Sequence, residues 1–282
     1  MPSYRIIKKL FHAQPTLEGA GVHLKRVFAQ PEAPLFDPFL LLDDFGSENP
    51  EDYLKGFPWH PHRGIETVTY MLEGEVEHGD SLGNKGVIKG GEVQWMTAGS
   101  GIIHQEMPKE SHPRLKGLQL WVNLPMAHKM TAPRYRGVVA DDIPVVRTEG
   151  VTVRVIAGTH GGVTGPTHDL VVPVEYFAVD LGPNASFMHT VPSHYTAFVY
   201  VFEGSVIIGA DTVVEREYAA LTNAGDTIRA QGGTAGARCI VVFGEPIGEP
   251  VAWGGPIVMN TEAELRQAFV EFRDGTFIKG AL

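Results

Sequence analysis

The sequence predicts an all-β protein with two tandem jelly-roll β-barrels and one short C-terminal helix. Three observations support this prediction: stretches of alternating apolar and polar residues, turn-forming Glu-Gly pairs that follow them, and an internal repeat. Alternation with a period of two is typical of strands, as in "ETVTYMLEG" (66–74), "VEYFAVDLG" (174–182) and "TAFVYVFEG" (196–204). The 33 glycines and 20 prolines among 282 residues suit many short strands joined by tight turns.

The chain contains one pattern twice. "YMLEGEVEHGDS" (70–81) matches "YVFEGSVIIGAD" (200–211), with Tyr, Glu, Gly, Val and Gly at equivalent places. A second matching pair, "GGEVQWMTAG" from Gly90 and "AGDTIRAQGG" from Ala224, follows at a similar distance. Two similar all-β units in tandem predict two domains. The predicted ranges are 1–132 for the N-terminal domain, 133–148 for a linker rich in proline and turn residues, and 149–282 for the C-terminal domain.

The clearest helix signal lies near the C-terminus, in "NTEAELRQAFVEFRDGTF" (260–277). Thr261 and Glu264 have the spacing of a capping box, in which side chain and backbone satisfy each other's hydrogen bonds at the start of a helix. An apolar stripe along this helix predicts that it packs against one barrel. The stripe comprises Leu265, Phe269 and Phe272.

Composition excludes several classes of function. The net charge of −10 disfavours a nucleic-acid-binding surface, which needs clustered Lys and Arg, so we expect no direct nucleic-acid partner. The single cysteine, Cys239, excludes an intramolecular disulfide and a zinc–thiolate cluster. The first residues show no signal-peptide pattern, and no apolar run reaches the roughly 18 residues of a membrane span. We therefore expect a soluble cytoplasmic protein with no membrane contact.

Two motifs with the same spacing predict a metal site. His60 and His62 lie two residues apart, and so do His104 and Glu106. Residues i and i+2 share one face of a strand at about 6.5–7 Å, so each pair can converge on one ion. Pro61 removes a backbone donor between the first two histidines, which suits the start or the edge of a sheet. If the two strands are neighbours, three imidazoles and one carboxylate meet at one point inside the first barrel.

Spacing leaves the identity of the carboxylate open. Glu66 follows His62 by four residues and shares its face, so parity alone does not separate Glu66 from Glu106 as a ligand. Most other histidines have no partner at matching parity, and we expect them to be surface or hydrogen-bonded residues. These are His12, His23, His78, His112, His128, His160 and His168.

The second half of the chain does not repeat the metal-binding pattern. When the halves are aligned on their Glu-Gly turns, Thr190 and Pro192 stand where the first half has its His-x-His pair. His189 and His194 are nearby but five residues apart, so they face opposite sides of an extended strand. The sequence therefore predicts a C-terminal domain without a metal site.

Residues 57–106, which contain both motifs, resemble the signature of the pirins, a family of the cupin superfamily. "FLLLDDFG" (39–46), "GLQLWVNLP" (117–125) and "GEPIGEPVAWGGPIVMNT" (244–261) resemble it too, so the likeness covers nearly the whole chain. The resemblance implies two cupin barrels, with a non-haem iron in the N-terminal one and Glu66 outside the ligand set. The ligands it implies are His60, His62, His104 and Glu106.

The resemblance also implies quercetin 2,3-dioxygenase activity, in which dioxygen opens the central ring of a flavonol and carbon monoxide is released. Imidazole and carboxylate ligands suit Fe(II), and also Mn, Co, Ni, Cu and Zn, so the donor set does not select one metal. The expected partner is a small aromatic chelating substrate of the flavonol type. Candidate walls for its binding site are Phe57, Trp59, Trp95 and Met96.

Two residues are candidates for the base that takes the proton of the flavonol hydroxyl: Glu106, and alternatively Glu66. A second hypothesis belongs to another class. Eukaryotic pirins act as transcription co-regulators, so the resemblance also allows an iron-dependent, redox-sensing regulator with a protein partner and little or no turnover. Oxidation of the iron would add one unit of charge, to which the surrounding loops could respond.

Overall fold

The computed structural model describes residues 2–209 and 212–279, so the outermost residues of both predicted domains and positions 210–211 lie outside the described residues. The predicted all-β class and the short C-terminal helix are confirmed.

The two α-helices of the described residues are α1 (Ala33–Phe36) and α2 (Glu262–Arg273), and short 3-10 helices span Pro50–Asp52, Met126–His128 and Ala140–Asp142. The strands are β1 (Ile6–His12), β2 (Gln14–Glu18), β3 (Val22–Phe28), β4 (Phe39–Phe45), β5 (Phe57–His62), β6 (Ile65–Glu73), β7 (Glu75–Asp80), β8 (Lys85–Lys89), β9 (Val93–Thr97), β10 (Ile102–Pro108), β11 (Lys116–Asn123), β12 (Arg134–Val138), β13 (Val145–Thr148), β14 (Val151–Ala157), β15 (Thr159–His160), β16 (Val163–Thr164), β17 (Val174–Leu181), β18 (Ser186–Thr190), β19 (Thr196–Ile208), β20 (Thr212–Glu215), β21 (Tyr218–Asn223), β22 (Thr227–Gly244), β23 (Ala252–Gly254) and β24 (Ile257–Met259).

The chain forms two compact units whose limits differ from the predicted ranges at both ends of the chain. What we call the N-terminal unit comprises residues 15–34, 39–140 and 247–282, and the C-terminal unit comprises residues 1–14, 35–38 and 141–246. Pairing explains both differences. Strand β1 pairs with β21 in the C-terminal unit, and α2 packs on β23 and β24 in the N-terminal unit.

Besides the two-stranded sheet β23-β24, the described residues of the N-terminal unit form two antiparallel sheets. The larger has the order β12-β9-β6-β11-β4-β3-β2, and the smaller has the order β5-β10-β7-β8. Strand β12 falls within the predicted linker and extends the larger sheet by pairing with β9. Apolar side chains from the sheets form a buried core that includes Tyr53, Met71 and Ile88, because period-2 alternation places one face of each strand inside. The smaller sheet carries the residues of the predicted metal site.

The described residues of the C-terminal unit form a two-stranded sheet, β15-β16, and a nine-stranded antiparallel sheet with the path β1-β21-β19-β22-β17-β14-β13, to which β18 and β20 add by pairing with β22 and β19. Its core is apolar and includes Phe177, Val199 and Phe243. Cys239 is fully buried in this core and packs as a small apolar residue.

Helix α2 begins with the predicted capping box. Glu264 N donates to Thr261 Oγ1 at 3.2 Å, and Thr261 N donates to the Glu264 carboxylate at 2.9 Å. The prediction of the buried face is wrong in part: Leu265 is buried, but Phe269 and Phe272 are 42% and 41% exposed. Ala268, three residues after Leu265, takes the second buried position, so the helix is rotated relative to the predicted stripe. In the described part of the chain, no helix has the length and apolar character needed to cross a membrane.

Candidate metal centre

The two strands that carry the predicted ligands are neighbours. Strands β5 and β10 pair antiparallel, with His60 directly opposite His104, and Ile102 opposite His62. Strand β5 lies at the edge of its sheet, as expected for a strand whose Pro61 lacks a backbone donor. This register satisfies the condition under which the two motifs can share one ion, because their side chains leave the sheet on the same face.

Three imidazoles converge at this point. One ring nitrogen from each of His60, His62 and His104 lies within 4.8 Å of those of the other two. The Nε2 atoms of His60 and His62 are 3.1 Å apart, and the His104 ring centroid lies 4.4 Å and 5.0 Å from the centroids of the His60 and His62 rings. His62 and His104 are almost completely buried. The structure therefore gathers all three predicted histidine ligands.

Hydrogen bonds determine where the protons of two rings lie. His60 Nδ1 is 2.8 Å from the carbonyl oxygen of Pro58, and His62 Nδ1 is 3.1 Å from that of Pro256. A carbonyl oxygen only accepts, so both Nδ1 atoms carry the hydrogen and both Nε2 atoms carry a lone pair. Those lone pairs face each other, which is repulsive without a cation between them. Two nitrogens bound at right angles to one metal, at about 2.0–2.2 Å each, would be about 2.8–3.1 Å apart.

The electrostatic setting keeps the three rings neutral. Burial lowers the pKa of His62 and His104 well below the usual value, and neighbouring histidines lower it further. Burial lowers the pKa of His60 as well. Among the described residues, neither ring nitrogen of His104 has a hydrogen-bond partner. Neutral, buried imidazoles with unsatisfied nitrogens lower the stability of the fold when no metal is bound, but they are suitable ligands for a transition metal. The residues present therefore fit a metal ion.

Glu106 lies two residues beyond His104 on β10, after a bulge in the β5–β10 pairing. Its carboxyl group is buried and accepts a 3.2 Å hydrogen bond from Thr69 Oγ1. Burial raises the pKa of Glu106 to about 7, an effect that the Thr69 hydrogen bond partly offsets. In the part of the chain that the structure describes, the tight group of ligand atoms contains the three histidines without Glu106.

Glu66, the alternative carboxylate, has other partners. It lies on β6 of the larger sheet, where Trp95 Nε1 and Thr97 Oγ1 donate to its two carboxylate oxygens at 2.9 Å and 2.7 Å. The side chain is buried, with 1% of its surface exposed. These two hydrogen bonds join β6 to β9, so the contacts of Glu66 are those of a residue that stabilises the sheet.

A fourth histidine lies beside the centre. His78 stands opposite Glu106 across the β7–β10 pair, and its ring centroid is 5.4 Å from that of His104. Its Nε2 is 3.2 Å from a carboxylate oxygen of Asp80, and Gln94 Nε2 contacts its Nδ1 at 3.0 Å. The expectation of a hydrogen-bonded histidine holds, but its position next to the centre follows from the pairing of β7 with β10, which no motif in the sequence indicates.

Comparison with known proteins agrees with this geometry. The model of the pirin family matches residues 21–122, and the model of the pirin C-terminal cupin domain matches residues 176–278. A pirin-like protein of Caulobacter vibrioides is 48% identical over 97% of this chain and 99% of its own length. The chain belongs to the pirin family.

Two further relatives of this pirin carry the name of an enzyme. A Pseudomonas aeruginosa protein, provisionally named quercetin 2,3-dioxygenase, is 42% identical over 98% of this chain and 99% of its own length. The crystal structure of quercetin 2,3-dioxygenase from Acinetobacter baumannii matches with a TM-score of 0.89 and 32% identity, and the match covers 98% of this chain and 99% of that one. The two domains are therefore cupin-like, as the sequence predicted.

A cavity of about 540 Å³ opens beside the histidine cluster of this pirin. His60, His62 and Glu106 line it, together with apolar and aromatic side chains. Of the predicted walls, Phe57 lines the cavity, whereas Trp95 and Met96 are buried in the core and Trp59 is 53% exposed outside the cavity lining. Sequence reasoning missed the two tryptophans that do contribute, Trp121 and Trp253, whose ring centroids are 5.9 Å apart.

Part of the cavity wall is polar. Arg26 forms a bidentate ion pair with Asp43, in which Nε donates to Oδ1 at 2.9 Å and Nη2 donates to Oδ2 at 2.8 Å. Its Nη1 donates to Glu18 at 2.8 Å. All three side chains line the cavity. Bidentate pairing fixes the guanidinium plane, so the cavity presents a rigid polar rim to a ligand with hydroxyl groups.

The segment after His62 is held by buried groups. Arg63 donates through Nε and Nη2 to the carbonyl oxygens of Ser100 and Phe277, each at 2.7 Å. Its Nη1 donates to the carboxylate of Glu271 on α2 at 2.7 Å. Gly64 has a φ of +77°, and a Cβ there would lie 1.9 Å from the carbonyl oxygen of Val258, so only glycine fits. These contacts fix the end of β5 and with it the direction of the His62 ring.

Proposed function

We propose that this pirin is a metal-dependent dioxygenase that opens the central ring of a flavonol such as quercetin. In this proposal Fe(II) is held by three imidazoles and one carboxylate of the N-terminal unit. The proposed ligands are His60, His62, His104 and Glu106. The observation that carries the proposal is the convergence of neutral imidazole nitrogens, with lone pairs facing each other, at the wall of a 540 Å³ cavity.

The donor set determines what chemistry is available. An iron(II) ion with histidine and carboxylate ligands supplies a Lewis acid for a chelating hydroxy-ketone and an electron source for dioxygen. The protein contributes orientation: the carbonyl oxygens of Pro58 and Pro256 hold the His60 and His62 rings with their Nε2 lone pairs pointing inward. A site prepared in this way does not have to reorganise when the metal binds.

The cavity suits a flat aromatic ligand. Trp121 and Trp253 offer adjoining rings, and the edge of the Trp121 ring meets the face of His62 with centroids 5.0 Å apart. A flavonol that places its hydroxy-ketone towards the histidines would lay its ring system along these tryptophans, where stacking and burial of apolar area stabilise it. The hydroxyl groups at its far end would meet the rim formed by Arg26 and Asp43.

Glu106 is the group best suited to take the proton of the flavonol hydroxyl. Its carboxyl lines the cavity, and in the metal-free protein burial raises its pKa to about 7. Thr69 Oγ1 lies 3.2 Å from the Glu106 carboxylate and 2.7 Å from Gln119 Oε1, so its single hydroxyl hydrogen is shared between these two acceptors. Glu66 has the contacts of a structural residue, which supports the assignment of this role to Glu106.

The test is oxygen consumption and flavonol loss by the iron-loaded protein. We expect quercetin and dioxygen to disappear in equal amounts with release of carbon monoxide. The double variant His60→Ala plus His104→Ala is expected to lose both metal and turnover, whereas His112→Ala, in an exposed histidine far from β5 in sequence, should retain both. Full turnover in the double variant would contradict the proposal. Absence of turnover in the iron-loaded wild type would contradict it too, and would favour a redox-sensing regulator.

A further inference from the structure

Three polar side chains meet in the C-terminal unit, where the sequence predicted no metal site. His160 of β15 and His189 of β18 approach so closely that their Nδ1 atoms are 3.0 Å apart. The Nε2 of His189 is 3.6 Å from a carboxylate oxygen of Glu175 on β17, and the same oxygen accepts a 3.1 Å hydrogen bond from Thr159 N. Three different strands therefore place two imidazoles and one carboxylate in a row.

Aromatic side chains pack against both histidine rings of this group. The His160 ring stacks on Phe187 with centroids 5.1 Å apart, and His189 packs against Phe177 and Phe243 at 4.9 Å and 5.3 Å. The His189 side chain retains 12% exposure and that of Glu175 29%. The polar atoms are thus reachable from solvent, whereas the ring faces are packed and held in place.

Each ring of the pair can offer a lone pair. Burial lowers the pKa of both histidines, and together with the neighbouring His160 it lowers that of His189 to about 4, so both rings are neutral at pH 7. At 3.6 Å from the Glu175 carboxylate, His189 Nε2 is too distant for a hydrogen bond, but the negative charge favours the tautomer with its hydrogen on Nε2, which leaves the lone pair on Nδ1. That lone pair points at His160 Nδ1. Either a proton or a cation must lie between the two Nδ1 atoms.

We propose that His160 and His189 bind a divalent transition-metal ion through their Nδ1 atoms, with Glu175 as the outer carboxylate that orients His189. The separation of 3.0 Å agrees with the roughly 2.8–3.1 Å between two nitrogens bound at right angles at about 2.0–2.2 Å. A carboxylate that accepts the second N–H of a ligating histidine is the usual outer partner in such sites. In the bound state the hydrogen of the His160 ring lies on Nε2.

The geometry favours ions that accept nitrogen ligands at right angles, such as Ni(II) and Cu(II). Only two protein ligands take part, so water fills the remaining positions and the ion exchanges readily. This site differs from the centre in the N-terminal unit, which uses Nε2 atoms, three rings and deep burial. Binding would tie β15 to β18 and stabilise the C-terminal unit.

The experiment separates the two sites by mutation and counts ions with Ni²⁺ as the probe. The variant His60→Gln plus His104→Gln removes nitrogen ligands of the N-terminal centre. We expect equilibrium dialysis with metal analysis to give two Ni²⁺ per wild-type chain and one per chain of this variant. Adding His160→Gln or His189→Gln should abolish binding of the remaining Ni²⁺ ion. Adding Glu175→Gln should weaken the affinity of the site for Ni²⁺ roughly 10–100-fold.

His194→Gln is the matched control, since this histidine belongs to the same unit and its side chain is 66% exposed. Loss of Ni²⁺ in the control as large as in the His189 variant would overturn the proposal, and so would a double variant that binds no ion. Anomalous diffraction from Ni²⁺-soaked wild-type crystals gives an answer that does not depend on the folding of any variant. A peak bonded to both Nδ1 atoms is expected; an empty position at saturating Ni²⁺ would refute the site.

Discussion

The Nε2 atoms of His60 and His62 face each other at 3.1 Å, although the hydrogen of each ring lies on its far side, directed at a backbone carbonyl. Facing lone pairs repel each other, so in a buried site they destabilise the metal-free protein. A bound cation converts the same arrangement into a stabilising one. The metal is therefore expected to contribute to the stability of the fold as well as to any chemistry.

Metal removal should lower the thermal stability of the N-terminal unit. A ligand at about 100 times its Kd stabilises by about 2.7 kcal/mol, which corresponds to a rise of roughly 5–10 °C in Tm for a unit of this size. Calorimetry before and after treatment with a chelator measures the change. The variant His60→Gln plus His62→Gln should not respond to the chelator. If the Tm of the wild type does not change with the chelator either, the three histidines do not hold a metal that contributes to thermal stability.

Glu106→Gln and Glu66→Gln should have opposite effects. Glu106→Gln is expected to reduce metal affinity by more than roughly 10–100-fold. That range is the loss observed when a residue that only hydrogen-bonds to a metal ligand is removed. Glu66→Gln should leave metal affinity unchanged but lower the free energy of unfolding by about 1–3 kcal/mol, because its amide nitrogen cannot accept from Trp95 or Thr97. Competition with a chromophoric chelator and urea unfolding measure the two quantities. The reverse pattern would identify Glu66 as the ligand.

Trp253→Leu should weaken flavonol binding while leaving metal content unchanged. The ring lines the cavity next to Trp121, and loss of one aromatic contact costs about 0.5–1.5 kcal/mol, or roughly a 2–10-fold rise in Kd. Trp59→Leu is the matched control, because this tryptophan is exposed and lies outside the cavity lining. Quenching of the intrinsic fluorescence by quercetin gives both values. Equal Kd values for the two variants would show that the flavonol does not use this cavity.

Lys129 should make stability depend on pH. Burial lowers its pKa to about 7 in the folded protein, while its amine donates to Gly64 O at 2.9 Å and Asn123 Oδ1 at 2.5 Å. In the unfolded chain the pKa is about 10.4, so between these values the unfolded state binds more protons. The free energy of unfolding should therefore rise with pH above 7, by up to about 1.4 kcal/mol per pH unit.

The measurement for Lys129 is urea unfolding at pH 7, 8 and 9. Lys129→Met removes the titrating group, so the difference in free energy between wild type and variant should grow over this range. A difference that is constant with pH would mean that Lys129 is charged in the folded state.

The convergence of three histidines could be predicted from sequence because it depends on short-range parity. His60 and His62 share a face whatever the rest of the fold does, and only the pairing of β5 with β10 had to be assumed. The approach of His160 to His189 could not be predicted in the same way, since it joins residues 29 positions apart on strands that do not belong to one motif. Contacts of that kind depend on sheet register, which local sequence does not specify.

The two ends of the chain also show that local sequence does not specify contacts between distant residues. The capping box at Thr261 is local and was predicted, whereas the rotation that exposes Phe269 depends on which strands the helix meets. Nothing in the first 14 residues indicates that β1 pairs with β21, about 210 residues later. Pairing between distant strands also explains why β1 belongs to the C-terminal unit.

Anomalous diffraction at the iron edge, on crystals of the full chain grown with Fe(II), tests the central claim most directly. We expect a strong peak in the N-terminal unit within bonding distance of Nε2 of His60, Nε2 of His62 and a ring nitrogen of His104, with a Glu106 oxygen as the fourth protein ligand. A peak elsewhere in that unit, or no density between these rings in iron-saturated crystals, would contradict it.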